Sequence, residues 1–227
     1  MPPGTKHLKG TRFTRGRWEQ LKLQGERVWL LDPKTDRPRG NLARYIAHGR
    51  ELGAHEAYKC TVRTPWWRPP VVDAPDLFFT YMSHRYPRLI VNEAGVSFVN
   101  SMHGLVLRKE APTIAREALP LLAINSVSML GAEVFGRSYG GGILKMEPSE
   151  AADLPVPSPL TLAKAWDKLE KRRAHLDELL RVGQWQEVVE EVDESLLVGA
   201  AALPRDDVLA LRSAAARLRR RRTRRDD

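Results

Sequence analysis

The sequence predicts an α+β protein: an antiparallel, β-rich core with a packed central helix, followed by a C-terminal helical extension. Three observations carry this. Residues 77–107 hold several short apolar runs separated by proline, glycine and asparagine, and such close spacing calls for antiparallel pairing because parallel strands need long crossovers. Residues 114–135 return to helical spacing, and everything after Thr161 is helical in pattern. The chain divides into a basic N-terminal segment (1–55), a β-rich core (56–159) and a helical extension with a basic tail (160–227).

Taken in order, the chain reads as coil up to Thr11-Arg12-Phe13-Thr14, then as a short amphipathic helix over 15–25 carrying Trp18, Leu21 and Leu23. Val28-Trp29-Leu30-Leu31 is an apolar burst of strand length closed by Asp32-Pro33. Asn41 suits the N-cap of a helix through Leu52, with Leu42, Tyr45, Ile46 and Leu52 on its inner face. Residues 58–63 alternate, and strand-like runs follow at 77–82, 88–92, 96–100 and 104–107. In the central helix Pro120 fits the first turn of the main segment, and Leu121, Leu122, Ile124, Val127, Leu130 and Val134 make a stripe that Gly136 ends. After Tyr139-Gly140-Gly141-Gly142 comes a strand over 143–146, and the proline-rich stretch 154–159 is stiff and extended. Leu162, Trp166, Leu169, Leu176 and Leu180 share a helical face. Trp185, Val188, Val189, Val192 and Leu196 suit a second helix after Gly183, and Asp206 or Asp207 caps a third that runs into arginines.

Charge is concentrated at both ends. The 227 residues carry a formal net charge of +9, with 42% hydrophobic and 29% charged residues, a globular composition. Residues 1–50 hold 12 Lys/Arg against 4 Asp/Glu, and residues 204–225 hold nine arginines against Asp206 and Asp207. Two basic ends imply a polyanionic partner, most simply nucleic acid. The alternative for the last stretch, 217–225, is a solvated tail, since runs of like charge repel one another, and the sequence favours it. No apolar run approaches the ~20 residues of a membrane span. The first residues lack the apolar core of a signal peptide, and a single cysteine, Cys60, excludes an intrachain disulfide, so the cytoplasm is the expected compartment.

Most catalytic signatures are missing. There is no Gly-x-x-x-x-Gly-Lys-Ser/Thr loop, no His-Glu-x-x-His helix and no strand–Gly-x-Gly-x-x-Gly–helix unit. The histidines at 7, 48, 55, 84, 103 and 175 show no metal-ligand spacing, so no metal site is expected. Gly136-Arg137-Ser138-Tyr139-Gly140 fits the Gly-x-Ser-x-Gly nucleophile pattern. That elbow requires a strand before the serine and a helix after it, whereas the order here is helix, turn, strand. An autonomous serine hydrolase is the disfavoured alternative, and no catalytic residue is assigned.

What remains is a set of groups suited to gripping a polyanion. Cations at 59, 63, 68, 85 and 88 lie among Trp66, Trp67, Tyr81 and Tyr86, the mixture that phosphate clamping and base-edge reading need. Gly140, Gly141 and Gly142 would let backbone approach a sugar–phosphate closely. Core packing of the tryptophan pair and a simple turn at the glycines are the competing explanations.

Pro3-Gly4-Thr5-Lys6-His7-Leu8-Lys9-Gly10, then Tyr58-Lys59-Cys60 with Arg63 and Pro65-Trp66-Trp67, form the start of an ordered series. It continues through Pro87-Arg88-Leu89-Ile90-Val91-Asn92, Asn100-Ser101-Met102-His103, and Tyr139-Gly140-Gly141-Gly142-Ile143-Leu144-Lys145-Met146-Glu147-Pro148, with Leu154-Pro155-Val156-Pro157 behind. Over residues 2–159 this resembles the C-terminal target-recognition part of N6-adenine DNA methyltransferases of restriction–modification systems. The resemblance implies a module that grips double-stranded DNA and reads sequence. It implies that S-adenosylmethionine and the flipped adenine belong to a separate catalytic methyltransferase polypeptide, no cofactor being bound by this chain. The family's Asn/Asp-Pro-Pro-Tyr/Phe signature is absent: Pro-Pro occurs only after Met1 and after Arg68. Without that pocket the chain is not expected to methylate alone, so a split gene, a fragment or a separately encoded specificity piece is expected. The residues assigned to DNA contact are Lys6, Lys59, Arg63, Trp66 and Trp67; Arg85, Arg88, Asn92, Asn100, Ser101 and His103; and Tyr139, Gly140, Gly141, Gly142 and Lys145. Asn92 and Asn100 sit at strand ends, where turn building competes with DNA contact. A protein-interaction remnant and a stand-alone nucleic-acid-binding protein are the alternative functions.

Overall fold

The computed structural model describes residues 1–98 and 100–223. The chain opens with a 3₁₀ turn (Thr5–His7), strand β1 (Arg12–Phe13) and helix α1 (Arg15–Leu23), which starts where the Thr14 hydroxyl accepts from the Arg17 amide. Trp18 and Leu21 are buried as expected, and Leu23 is exposed. Residues 28–31 form no strand. Val28 packs inward, while the Trp29 ring meets Trp18 edge-on at 5.1 Å and stays largely exposed. Helix α2 (Gly40–Glu51) begins one residue before the expected cap: Arg39 is its N-cap, and of its apolar face only Ile46 is buried.

The alternating stretch after Tyr58 is a short helix, α3 (Tyr58–Thr61), not a strand. Strands β2 (Leu77–Phe79), β3 (Met82–Ser83), β4 (Leu89–Asn92) and β5 (His103–Leu105) follow. Residues 96–98 and 100 are not in a strand, and Val99 of the expected 96–100 run lies outside the described residues.

The helical stretch after residue 114 is two helices, α4 (Ala115–Leu122) and α5 (Ser126–Phe135), at 75° to one another. The break falls at Asn125, whose side chain donates to the Leu122 carbonyl (2.6 Å) and accepts from the Ser128 amide (2.9 Å); Pro120 stays inside α4. No single described helix is long and apolar enough to cross a membrane, and this bent pair lines the protein's own core. Gly136 ends α5 as expected, β6 (Arg137–Tyr139) and β7 (Ile143–Lys145) follow, and α6 (Pro148–Ala152) opens on a capping box of Glu147 and Glu150. The C-terminal part holds α7 (Pro159–Leu169), α8 (Arg173–Val182), α9 (Trp185–Asp193), a π-helical turn (Glu194–Ala200) and α10 (Arg205–Thr223). Asp206 and Asp207 lie in the first turn of α10, where they oppose the positive helix end.

Two sheets result. One has the order β1-β4-β2-β5, the other β3-β7-β6. All pairs are antiparallel except β1–β4, which is parallel with Phe13 opposite Asn92. Those two strands are far apart in sequence, so the crossover is long enough. Alternation along the strands serves two cores: Phe13, Phe78 and Ile90 pack with Leu8, Trp18 and Leu21, while Phe79 and Leu89 pack with Ala132, Leu144 and Met146. The third and largest core joins Tyr86, Leu121, Leu122 and Ile124 to Leu162, Trp166, Leu169, Leu176, Val188, Val189, Val192 and Val208.

The basic tail is not loose along its described length. Arg222 is buried, with Nη2 and Nε on the Glu133 carboxylate of α5 at 2.8 and 2.9 Å and further donation to the carbonyls of Gly142 and His84. Asp193, also buried, accepts from the Ser126 amide and hydroxyl (2.8 and 2.6 Å) and from Arg212 (2.8 Å). The expectation of a solvated tail is therefore corrected at Arg222, while Arg217, Arg220 and Arg221 remain exposed to solvent. Packing supplies a carboxylate where helical periodicity turns a guanidinium inward; Arg224 and Arg225 lie outside the described residues.

Candidate nucleic-acid interface

The residues singled out from sequence fall into three places. Lys6 and Arg85 meet at a groove of about 340 Å³ between the N-terminal turn, the 83–88 loop and the α8–α9 junction. Lys9, which stands in the same motif as Lys6, and Arg181, which no sequence signal selects, line the same groove, as does the Trp185 ring. Two local devices build it. Asp177 on α8 accepts from the Thr11 hydroxyl (2.6 Å) and from Arg181 Nε (2.7 Å), which ties the N-terminal turn to the helical part. Gly10 (φ +71°) permits that approach, since a Cβ there would lie 2.5 Å from the Asp177 oxygen. Arg85 crosses from the loop to the helical part, 3.4 Å from the Gly183 carbonyl, and remains exposed.

Arg88, three residues from Arg85, lines the same groove, but its guanidinium is spent on backbone carbonyls. Its Nη2 donates to the Leu8 carbonyl (2.7 Å) and Nη1 reaches the Gly10 carbonyl (3.4 Å), so it holds the N-terminal turn. Burial pulls this guanidinium below the usual arginine range, Tyr86 opposes the shift, and the neighbouring Arg85 charge adds to it. Beside the groove lies a larger cavity of about 530 Å³, which shares Arg85, Tyr86 and Trp185 with it and is also lined by Arg219 and Arg220, together with Glu133, Glu187 and Glu190. Trp185 is tilted against Tyr86 (5.6 Å between centroids), and the Arg219 guanidinium stands 4.7 Å above its ring.

Lys59, Arg63, Trp66 and Trp67 sit elsewhere, around a mostly apolar groove of about 360 Å³ with Leu30, Leu31, Tyr45, Ile46 and Leu52; Lys59 lies on α3 beside it. The tryptophans meet edge to face at 6.0 Å. Tyr45 and Leu52 are 62% and 72% exposed, so this is a surface rather than a closed core.

Asn100, Ser101, His103, Tyr139 and Lys145 gather near Tyr81. The His103 ring is stacked on Tyr81 (4.3 Å), with Nε2 3.1 Å from the Met146 carbonyl, and the Tyr81 hydroxyl donates to the Asn100 carbonyl (2.9 Å). The Ser101 hydroxyl is buried without a partner among the described residues. Lys145 stands 5.3 Å over the Tyr139 ring, and its hydrogen bond to Glu147 (2.7 Å) raises the ammonium above, and lowers the carboxylate below, their ordinary ranges. Asn92 is buried: its Nδ2 donates to the Pro75 and Val96 carbonyls (both 2.9 Å), so it builds a turn. Gly140, Gly141 and Gly142 turn the β6–β7 hairpin, with Gly141 and Gly142 at positive φ. Gly142 packs on Thr223 and is closed to a ligand, while Gly140 and Gly141 are exposed.

This glycine turn joins antiparallel strands rather than a strand to a helix, so it does not suit the cofactor cradle of a methyl-transfer domain. Ser138 lies in exposed edge strand β6 behind a helix, the reverse of a nucleophile elbow. Among the described residues, no three His, Cys, Asp or Glu side chains are placed to hold a metal ion.

Fold and groove together describe an α+β module with a groove lined by Lys6, Lys9, Arg85 and Arg181, and its relatives are type II methyltransferases. The chain belongs to the family described as the C-terminal domain of type II methyltransferase M.Eco57I, whose model matches residues 1–197. It is 30% identical over 129 residues to the type II methyltransferase M.XamI of Xanthomonas campestris pv. amaranthicola, covering 56% of this chain and 24% of that protein. It is 24% identical over 148 residues to the type II methyltransferase M.AccI of Acinetobacter calcoaceticus, covering 64% and 27%. The chain thus spans about a quarter of the length of these relatives. No solved structure matches it.

Proposed function

We propose that this chain is the DNA-binding target-recognition module of a site-specific adenine-N6 DNA methyltransferase and has no methyl-transfer centre of its own. The observation that carries the reading is the convergence of Lys6, Lys9 and Arg85, from two separate segments, on one groove that Asp177-paired Arg181 also lines, in a chain of this family. Like charges repel at close range, so gathering them favours an anion between them, and backbone phosphates supply it. The Trp185 ring lines that track beside Arg85. S-adenosylmethionine belongs on a catalytic polypeptide that supplies the rest of the enzyme. The exposed apolar groove of Tyr45, Leu52, Trp66 and Trp67 is the face assigned to that polypeptide, because about three quarters of each relative lies outside the match. On this reading the chain works in the cytoplasm, on double-stranded DNA.

Fluorescence anisotropy with a labelled duplex tests the assignment. The full chain is expected to bind with a steep salt dependence, and Arg85→Gln or Lys6→Gln to lower the log–log slope by about 1 each. Transfer of labelled methyl groups to adenine should require a type II methyltransferase catalytic polypeptide as well. Adenine modification by the chain alone, or a flat salt titration, overturns the reading.

A further inference from the structure

The last described helix, α10, lies wholly beyond residue 197, where the family match ends, and carries five arginines over positions 217–222. Helical geometry sorts them. Val208, Ala215, Arg219 and Arg222 turn toward the body of the protein, and at 100° per residue Arg217, Arg220 and Arg221 fall within about 50° of the opposite direction. These three are exposed and make no ion pair among the described residues.

A basic face of this kind is often only solvated. Here two further observations weigh against that. The helix is pinned near its end by a fully buried ion pair, Arg222–Glu133, and mid-length by Arg212 on buried Asp193, anchoring that a purely solubilising tail does not need. The face also adjoins the cationic groove, since Arg219 and Arg220 share a cavity with Arg85 and Trp185. Arg219 is held below the usual arginine range first by burial; Glu133 opposes the shift and Arg222, Arg85 and Arg220 add to it, so several cations crowd around a Glu133 that is already paired with Arg222.

We infer that α10 is a rigid phosphate-binding helix, added to the family's module, in which Arg217, Arg220 and Arg221 grip the backbone of the same duplex that enters the groove. The inference rests on the DNA-binding reading and extends it. Four residues at 1.5 Å each put about 6 Å between the first and last of these arginines, roughly the rise of two phosphates along one strand. The contact is to backbone and carries no base preference of its own.

The test uses the full chain and the triple variant Arg217→Gln, Arg220→Gln, Arg221→Gln, which leaves Arg222 and Arg219 in place so that α10 stays docked; an unchanged thermal midpoint checks that. Binding to labelled duplexes of several sequences is titrated between about 50 and about 200 mM salt. The log–log slope is expected to fall by about 2.7, so that the variant loses about fortyfold less affinity across that fourfold range than wild type does, equally on every sequence. An unchanged slope in a variant of a chain that binds DNA overturns the role of α10 and leaves the groove standing. Weakening confined to one sequence overturns it too, because it would mean base reading. A wild-type chain that ignores every duplex overturns both.

Discussion

Arg222→Met tests whether the arginine-rich end is part of the folded protein. The Arg222 and Glu133 side chains are each only 5% exposed, and the guanidinium reaches both carboxylate oxygens, at 2.8 and 2.9 Å. Removing it leaves the Glu133 carboxylate without its partner in an enclosed site and strips a donor from the Gly142 carbonyl. Breaking one side of a buried pair costs about 3–5 kcal/mol. With a urea m-value of about 2–3 kcal/mol/M, the unfolding midpoint should fall by more than about 1 M. The double variant Glu133→Leu, Arg222→Met removes the stranded charge and should regain most of the loss, because apolar replacements of buried pairs are often neutral or stabilising. Circular dichroism during urea titration reads both. If Arg222→Met stays within about 0.5 kcal/mol of wild type, the guanidinium is in water, and the tail is the solvated run that its charge alone suggests.

Two other expectations concern residues whose role the fold decides. Asn92→Ala should lower stability by about 2–4 kcal/mol through its lost turn hydrogen bonds, while the protein that remains folded binds duplex with wild-type affinity; weaker binding at an unchanged thermal midpoint would instead make Asn92 a DNA contact. Burial holds the His7 imidazolium below the usual histidine range, with Glu26 at 3.7 Å pulling it back up. The unfolded chain therefore binds the proton more readily, so the His7 contribution is complete above a pH of about 6.5 and is lost as pH falls through the lower folded value. Thermal midpoints of wild type and His7→Gln should diverge above pH 6.5 and converge below it; parallel curves would refute the assignment.

Much of the fold is legible in the sequence because the chemistry involved is local. The stripe of Trp18 and Leu21 in α1, the stop at Gly136, the short antiparallel strands and the hairpin turned by Gly140, Gly141 and Gly142 each depend on neighbours within a few residues. Where fold and expectation part, the signal is short. Six alternating residues after Tyr58 fit a strand, yet without a partner to pair with they close as the single turn of α3. Pro120 has the character of a helix start, but the Asn125 cap is where the backbone turns.

The binding surface is the least legible part, and for a definite reason. Arg85 and Arg88 read alike in sequence, but Arg88 meets the carbonyls of a turn 78 and 80 residues away, while Arg85 is left at the groove. Arg181 and Trp185 give no local sign of belonging with Lys6 and Lys9, because Asp177 joins α8 to the N-terminal segment only after folding. Composition and periodicity decide that this is a basic α+β chain. Which of its many cations remain free to meet an anion depends on long-range pairing with carboxylates and carbonyls, and only the tertiary structure makes those pairs.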